Sequence, residues 1–201
     1  MGETSEDKRE QILKSASIFF GKYGFSKTTL DDIAGYMGMK KNSLYYYFPS
    51  KEALFEEVTK EKILRIFKKI NDAVLLKETA ADKLRTCFEA GNRVVKEENT
   101  PEFSVQSIID IQNTIKNFYS DYTKKSISML EKIISDGMDS GEFKKCKPAE
   151  IAKAIINLVE SIKLRQFYES KAKYLSEIDF TESEKTISTL LNLIIDGLKV
   201  K

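Results

Sequence analysis

Apolar residues recur every three or four positions along most of this 201-residue chain, which is the spacing of amphipathic α-helices. The clearest stretch contains Leu30, Ile33, Ala34 and Met37, which fall on one helical face. Gly38 follows where a helix end favours left-handed backbone, and a second periodic segment begins immediately after it. The pattern therefore predicts two short helices joined by a tight turn, which is a helix-turn-helix layout.

Potential N-capping residues predict where two of the helices begin. Thr28 stands just before the first apolar position and Asp31 follows three residues later, so this helix is predicted to begin near Thr28 or Thr29. Pro49 is predicted to stop the second helix, because the residue before a proline disfavours helical backbone. Ser50 can then cap a third helix that starts at the next residue.

The second helix of this layout has two different faces. Leu44, Tyr47 and Phe48 lie together at helical spacing and are predicted to face the core. The opposite side carries polar and aromatic residues, namely Lys41, Asn42, Tyr45 and Tyr46. A cation, an amide and two phenols are groups that bind phosphates and base edges in the major groove of DNA.

The stretch FFGKYGFSKTTLDDIAGYMGMKKNSLYYYFPSKEALF resembles the DNA-binding domain of the TetR/AcrR family of bacterial transcriptional regulators, over about residues 12–58. The landmarks that carry the resemblance are Phe19, Phe20, Gly24, Phe25, Thr28, Thr29, Ile33, Ala34, Gly38, Leu44, Tyr45, Tyr47, Phe48 and Lys51. Lys40 stands where the family usually has a capping serine, and Asn42 where it usually has glycine. The recognition helix is therefore expected to enter the groove slightly differently.

The resemblance implies that the protein binds a double-stranded DNA operator. The predicted DNA-binding residues, some reading bases and others gripping phosphates, are Thr28, Thr29, Lys40, Lys41, Asn42, Ser43, Tyr45, Tyr46 and Lys51. The segment from Lys22 to Lys51 has a net charge of +3, which fits a phosphate footprint. Without the helix-turn-helix, an ordinary solvated charged surface would be the usual interpretation.

The periodicity of the whole chain predicts an all-α fold. One helix is expected from Ser5 or Glu6 to Lys22, and a long one from Ser50 to about Leu76. We divide the chain into an N-terminal three-helix helix-turn-helix DNA-binding domain at 1–50, a connecting helix at 51–76, and a C-terminal helical effector-binding and dimerisation domain at 77–201. A tilt at one end of the connecting helix is expected to move the other end.

The last two helices, expected at about 148–170 and 181–200, are apolar on nearly two faces. One face can pack on its own subunit and the other on a symmetry mate, so the resemblance implies a homodimer held by four helices. The predicted interface residues are Ile155, Leu158, Ile162, Leu191, Ile194, Ile195 and Leu198. The alternative is a thick core within a monomer.

The middle helices carry aromatic and polar residues on faces expected to be interior, which is how small-molecule sites are built. The resemblance implies a pocket there for a small apolar or amphipathic effector. The candidate ligand-binding residues are Phe88, Asn92, Phe103, Ser107, Ile111, Phe118, Tyr122, Met129, Glu160 and Tyr168. For each residue taken alone, a simple core position is the more ordinary interpretation.

Composition argues against several other classes. The chain has no histidine, and Cys87 and Cys146 belong to no CxxC pair, so neither a His-based catalytic triad nor a metal site is expected. No paired carboxylates face each other on a helix and no glycine loop could cradle phosphate, so an enzyme is not expected and no cofactor is predicted.

The expected location is the cytoplasm, without a membrane partner. The N-terminal ten residues are polar and acidic, unlike a signal peptide, and no apolar run approaches the ~20 residues that span a bilayer. The predicted function is therefore a ligand-responsive transcriptional regulator, acting as a repressor. A helical protein-interaction adaptor and a regulator without small-molecule control remain alternatives.

Overall fold

The computed structural model describes residues 4–98, 104–114 and 116–200. Over these residues the secondary structure is α-helical apart from one short 3-10 turn at Leu175–Glu177 and two isolated β-bridges. The helices are α1 Ser5–Tyr23, α2 Leu30–Tyr36, α3 Lys41–Tyr47, α4 Lys51–Leu75, α5 Ala80–Glu98, α6 Val105–Thr114, α7 Lys116–Asp139, α8 Pro148–Glu169 and α9 Thr181–Leu198. The predicted all-α class is confirmed.

Local capping explains where the first helices start. The Thr4 side chain accepts a hydrogen bond from the Asp7 backbone N–H at 3.1 Å, and the Asp7 carboxylate accepts one from the Thr4 N–H at 3.0 Å, which closes a capping box. At α4 the hydroxyl of Ser50 accepts from the N–H of Ala53 at 3.1 Å. The predicted cap at Ser50 is therefore present.

The chain forms two compact units. The first comprises the described parts of Met1–Leu64, Asn99–Tyr119 and Ala172–Glu177. Its core is built from α1, α2, α3 and the start of α4, whose buried side chains are Ile12, Leu13, Ala16, Phe20, Leu30, Ile33, Ala34, Leu44, Phe48, Leu54, Phe55 and Val58. This core fixes α3 in place through its inward residues.

Helix α6 belongs to the first unit, although we assigned its residues to the C-terminal domain. The Ser107 hydroxyl donates to the carbonyl of Phe20 at 2.7 Å, and the Ser104 N–H donates to the carbonyl of Gly21 at 2.8 Å. The Asp110 carboxylate accepts from the Phe25 N–H at 2.7 Å. These bonds satisfy backbone groups at the end of α1 and in the turn that follows it.

The second unit comprises Arg65–Glu98, Ser120–Lys171 and Ile178–Lys201. Its buried core draws on α5, α7, α8 and α9 and includes Leu84, Cys87, Leu130, Ile133, Ile134, Phe143, Ala152, Ile155, Ile156, Leu191, Ile195 and Leu198. The Glu142 carboxylate accepts from the N–H groups of Ala80 and Ala81 at 2.6 and 2.9 Å, which caps the start of α5.

The described residues contain no membrane-spanning helix and no cluster of metal-binding side chains. None of the helices there combines the length and apolarity needed to cross a bilayer. Nor do these residues contain a group of three or more His, Cys, Asp or Glu side chains placed to hold a metal ion.

Candidate nucleic-acid interface

The start of α2 is fixed by Thr29, one residue later than the predicted cap. The Asp32 N–H donates to the Thr29 hydroxyl oxygen at 3.1 Å, and the Asp32 carboxylate accepts from the Thr29 N–H at 2.9 Å. This capping box lowers the pKa of Asp32, mainly through the side-chain hydrogen bond of Thr29. The cap predicted at Thr28 with Asp31 is therefore wrong.

Thr28 is instead a core residue. Its hydroxyl donates to the carbonyl oxygens of Gly24 at 2.8 Å and Phe19 at 3.2 Å, and the residue is buried. A hydroxyl that satisfies two buried carbonyls has no route to a phosphate. We therefore remove Thr28 from the predicted DNA-binding set.

The turn between α2 and α3 depends on Gly38, which has a φ of +64°. Only glycine adopts this left-handed backbone without strain, so the left-handed conformation predicted at Gly38 is confirmed. The Met39 N–H returns to the carbonyl of Ala34 at 2.9 Å and closes the end of α2. Lys40 occupies the N-cap position of α3, and its exposed side chain makes no capping hydrogen bond.

Helix α3 presents one side to the core and the other to solvent. Leu44 and Phe48 are buried, as their spacing predicts. The outward side chains are exposed, with Tyr45 exposed by 46% and Tyr46 by 81%, and Asn42 and Ser43 lie on the same exposed stretch. The exposed phenol groups of both tyrosines can therefore reach a partner outside the protein.

Lys41, the first residue of α3, forms an ion pair with Asp31 of α2. Its ammonium lies 2.7 Å from the Asp31 carboxylate, whose hydrogen bond raises the pKa of Lys41. An exposed ion pair of this kind contributes little net stability, so a phosphate can take over the lysine at small cost. Lys41 therefore stays in the predicted DNA-binding set as a cation shared with Asp31.

Lys51 has a structural role that the sequence did not reveal. Its ammonium donates to the carbonyl oxygens of Phe25 at 2.9 Å and Thr28 at 3.1 Å, and it lies 4.1 Å from the centre of the Phe25 ring. These contacts tie the start of α4 to the segment before α2. The prediction that Lys51 grips phosphate is therefore not supported by its geometry.

Tyr36 is a candidate that the sequence analysis missed. It lies at the end of α2, is 63% exposed, and has its ring centre 5.5 Å from that of Phe19. The available signal was its position at the side of the apolar face of α2, away from the four apolar residues. An exposed phenol on the first helix of the motif can donate to the DNA backbone.

The second unit contains an open groove of about 540 Å³ between α5 and α9. This volume lies within the range of small-molecule sites. Its apolar lining comes from Phe88, Ile187 and Leu191, and its polar lining consists of Arg85, Glu89, Asn92, Arg93, Lys96, Glu97, Glu184, Ser188 and Asn192.

Of the ten predicted ligand residues, Phe88 and Asn92 line this groove. Tyr122 and Glu160 are not among its lining residues. Glu160 accepts a hydrogen bond from the Thr123 hydroxyl at 3.0 Å, and burial raises the pKa of the Tyr122 phenol. They form a separate polar group within the second unit.

The other predicted ligand residues are distributed differently from our expectation. Met129 packs against the core of the second unit. Tyr168 is 57% exposed, and Ser107 is a buried part of the first unit, so neither fits an interior pocket of the second. Phe103 and the side chains of Ile111 and Phe118 lie outside the described residues.

The helix-turn-helix segment is similar to known regulatory proteins. Residues 12–58, which contain the helix-turn-helix, match the family model described as bacterial regulatory proteins, tetR family. A 52-residue segment is 42% identical to the biofilm operon icaADBC negative transcriptional regulator IcaR of Staphylococcus aureus (strain Newman), covering 26% of this chain and 28% of that relative. The helix-turn-helix segment of the chain therefore matches the tetR family of bacterial regulatory proteins.

Solved structures extend the similarity beyond residues 12–58. A transcriptional regulator from Cytophaga hutchinsonii has a TM-score of 0.78 and 26% identity, covering 96% of this chain and 99% of the other. A regulator from Saccharomonospora viridis, solved in complex with choline, has a TM-score of 0.69 and 16% identity, covering 98% and 100%. The second likeness concerns the fold alone.

The protein buries much of its predicted dimer interface within one protomer. Ile155, Leu191, Ile195 and Leu198 belong to the core of the second unit, so their assignment to an intersubunit surface is wrong. The reason is that the most apolar stripe of each helix packs inward. By contrast, Leu158 is 38% exposed, and Ile162 and Ile194 are half-buried.

The outward stripes of α8 and α9 combine leucine with small residues. Leu193 is 65% exposed, although our predicted set omitted it. Ala154, Asn157 and Ser161 accompany Leu158 at helical spacing on α8, and all are exposed. Large exposed leucines on two neighbouring helices are a candidate contact surface.

Lys163 is partly buried, which gives a testable pH dependence. Burial lowers its pKa; Glu184 on α9 opposes this effect and Lys96 on α5 adds to it, while Glu160 on the same helix bonds Thr123 instead. Between the lowered pKa and about 10.4 the unfolded chain binds more protons, so the free energy of unfolding rises with pH.

We expect Lys163→Met to stabilise the protein at pH 7, by about 1.4 kcal/mol for each unit by which folding lowers the lysine pKa. The gain should shrink as the pH approaches 10, measured by urea unfolding. Burial raises the pKa of the Cys87 thiol to about 12. This thiol contributes equally to the wild type and to Lys163→Met, so it cancels in the difference between their free energies of unfolding. A pH-independent difference, equal to that of exposed Lys153→Met, would contradict the expectation.

Proposed function

We propose that this protein is a repressor that binds a pseudo-palindromic operator as a homodimer and is released by a small, largely apolar effector. The observation that carries the proposal is the exposed outer face of α3, where Asn42, Tyr45 and Tyr46 stand on a helix-turn-helix whose inner face is buried. A side-chain amide and two phenols can read base edges or contact phosphates. The repressing direction is supported by the similarity of the segment to a negative regulator.

The proposed DNA contacts are the exposed members of the predicted set together with the paired lysine: Thr29, Lys40, Lys41, Asn42, Ser43, Tyr45 and Tyr46. Two-fold symmetry would place two recognition helices about 34–36 Å apart, one turn of DNA, or further apart if several dimers share the operator. The protein would act in the cytoplasm, where the operator is found.

Dimerisation is proposed to use the outward stripes of α8 and α9 rather than their inward stripes. Leu158 and Leu193 are the exposed leucines on these stripes, and Ile162 and Ile194 flank them as half-buried neighbours. Covering the stripes with a symmetry mate removes apolar surface from water, which is the main favourable term in such association.

The proposed transmission of the effector signal uses α4. This helix, Lys51–Leu75, contributes residues up to Leu64 to the first unit and residues from Arg65 to the second. We keep 1–50 as the DNA-binding domain and 51–76 as the connecting helix, and we add α6 to the elements that support the DNA-binding domain. An effector can act only if it binds one conformation better, and a tenfold loss of DNA affinity requires about 1.4 kcal/mol of such preference.

Operator binding can be tested without knowing the regulated genes. Selection from a random duplex library, followed by anisotropy titration, should yield a pseudo-palindromic site. Asn42→Ala and Tyr46→Ala should each weaken it by about 1–3 kcal/mol and relax the preference at individual base positions. Lys40→Ala should weaken all sequences alike and lower the salt slope by about one.

Tyr168→Ala is the matched control, because Tyr168 is also an exposed tyrosine but lies in the second unit. It should leave DNA affinity unchanged. If Asn42→Ala and Tyr46→Ala both preserved affinity and sequence preference, the assignment of α3 would fail. Complete absence of salt-dependent binding would favour the adaptor alternative.

A further inference from the structure

The groove between α5 and α9 offers hydrogen-bond donors from two asparagines. The Lys163 ammonium donates to the Oδ1 atom of Asn92 at 2.6 Å, and the Arg85 Nε–H donates to the Oδ1 atom of Asn192 at 2.9 Å. Lysine and arginine can only donate, so both amide oxygens are identified by their partners. Each amide NH₂ group is therefore left for another acceptor.

Neither amide nitrogen donates a hydrogen bond to another group among the described residues. Neither nitrogen is fully buried. Since Asn92 and Asn192 both line the groove, their N–H groups are available to a molecule that occupies it. A groove whose free amide groups are donors favours a ligand rich in acceptors.

The cation behind Asn92 adds a second, independent observation. In the described part of the chain, the Lys163 ammonium makes a single hydrogen bond, and no carboxylate lies within ion-pair distance of it. Glu184, the acid that interacts with it electrostatically, forms its ion pair with Lys96 at 3.3 Å. A partly buried cation without a paired anion costs stability, and an incoming anion would reduce that cost.

The rest of the groove suits an apolar body. Phe88, Ile187 and Leu191 supply apolar lining on α5 and α9. The three cationic side chains that line the groove are matched by three glutamates, and Lys163 adds a further positive charge behind Asn92. The groove therefore combines an apolar strip with one electropositive, donor-lined position at Asn92.

We propose that this groove binds an amphipathic carboxylate, with the acid group at the Asn92 amide near Lys163 and the apolar body against Phe88, Ile187 and Leu191. Carboxylate is the favoured head group because a planar two-oxygen acceptor can take an N–H from Asn92 while offsetting the lysine charge. The role of this ligand as an effector rests on the proposed repressor function, whereas its binding does not.

The test uses the intact protein without DNA and three probes with the same chain: decanoate, decanol and decyltrimethylammonium, each below its micelle concentration. Isothermal titration should show decanoate binding at least tenfold more tightly than decanol or the ammonium probe. Lys163→Met and Asn92→Leu should each weaken decanoate by tenfold or more and leave decanol unchanged. Lys153→Met, which removes an exposed lysine of the same helix, should change neither.

Several results would overturn the proposal. Equal binding of decanoate and decanol, tighter binding of the ammonium probe, or no binding of decanoate would each exclude a carboxylate site. Decyl phosphate binding more tightly than decanoate would assign the head-group position to phosphate instead. Because DNA titration is a separate measurement, intact operator binding alongside failed decanoate binding would reject this site and leave the repressor function standing.

Discussion

Asp110→Ala is expected to destabilise the first unit by about 2–3 kcal/mol and to weaken operator binding, although the residue is far along the chain from the helix-turn-helix. Asp110 is buried and its Oδ2 atom accepts from the N–H groups of Phe25 at 2.7 Å and Ser26 at 3.4 Å. Removing the carboxylate leaves the partly buried N–H of Phe25 without its acceptor in the turn that leads into α2.

Gly24 shows how closely this carboxylate approaches the turn. A Cβ at Gly24 would lie 2.8 Å from Oδ2 of Asp110, and the residue has a φ of +81°. Both the close approach and the left-handed backbone require glycine here. The Gln106 side-chain amide donates to the other carboxylate oxygen at 2.9 Å and orients the group.

Hydrogen exchange, thermal unfolding and operator titration would test this prediction together. Exchange should accelerate at the Phe25 and Ser26 amides. Asp110→Asn should have a smaller effect, because its amide oxygen can still accept one bond. Asp179→Ala is the control, since Asp179 also accepts a backbone N–H, from Thr181 at 2.9 Å, but is exposed and belongs to the second unit. Unchanged exchange in Asp110→Ala would show that the bond does not hold the turn.

Local signals in the sequence were sufficient for most helix boundaries. The predicted start of α1 at Ser5 or Glu6 and the cap at Ser50 agree with the structure, because both depend on side chains within three residues of the helix start. The cap of α2 was misplaced by one residue. Two adjacent threonines each have an aspartate three residues on, so the sequence offered two equivalent capping boxes, and burial of Thr28 selected Thr29.

Contacts between distant segments could not be predicted from one sequence. Asp110 and Phe25 are 85 positions apart, and Lys163 and Asn92 are 71 apart, so neither pair leaves a periodic signal. Apolar spacing shows that a helix such as α6 has an inner face but not which element covers it. This limit explains why Ser107 was assigned to the pocket although its hydroxyl bonds the end of α1.

The same limit applies to the candidate dimer surface. Periodicity identified two apolar stripes on α8 and α9 but could not decide which of them packs within the protomer. The stripe richer in isoleucine, with Ile155 and Ile195, forms the core, because inward packing of large side chains removes the most apolar area from water. The stripe left outside carries Leu158 and Leu193 beside small and polar residues.

Two glutamate substitutions on α9 should therefore have opposite consequences. Ile195→Glu places a carboxylate at a fully buried position and should cost more than about 4 kcal/mol, leaving the protein unfolded or aggregated. Leu193→Glu should leave the fold of each protomer intact, because an exposed substitution usually changes stability by about 0.5 kcal/mol or less. In a dimer, however, it would bury an unpaired charge and should convert the protein to a 23 kDa monomer.

Circular dichroism and sedimentation velocity at micromolar concentration separate these outcomes. Leu193→Glu should keep the helical spectrum while its sedimentation coefficient falls, and Leu158→Glu should behave in the same way. Ser188→Glu, an exposed change on a different face of α9, shows whether any added charge on this helix is sufficient. If both leucine variants sediment as the wild type does, the outward stripes are not the interface. Two-fold presentation of the recognition helices would then require another surface, because half-site spacing depends on how the protomers meet.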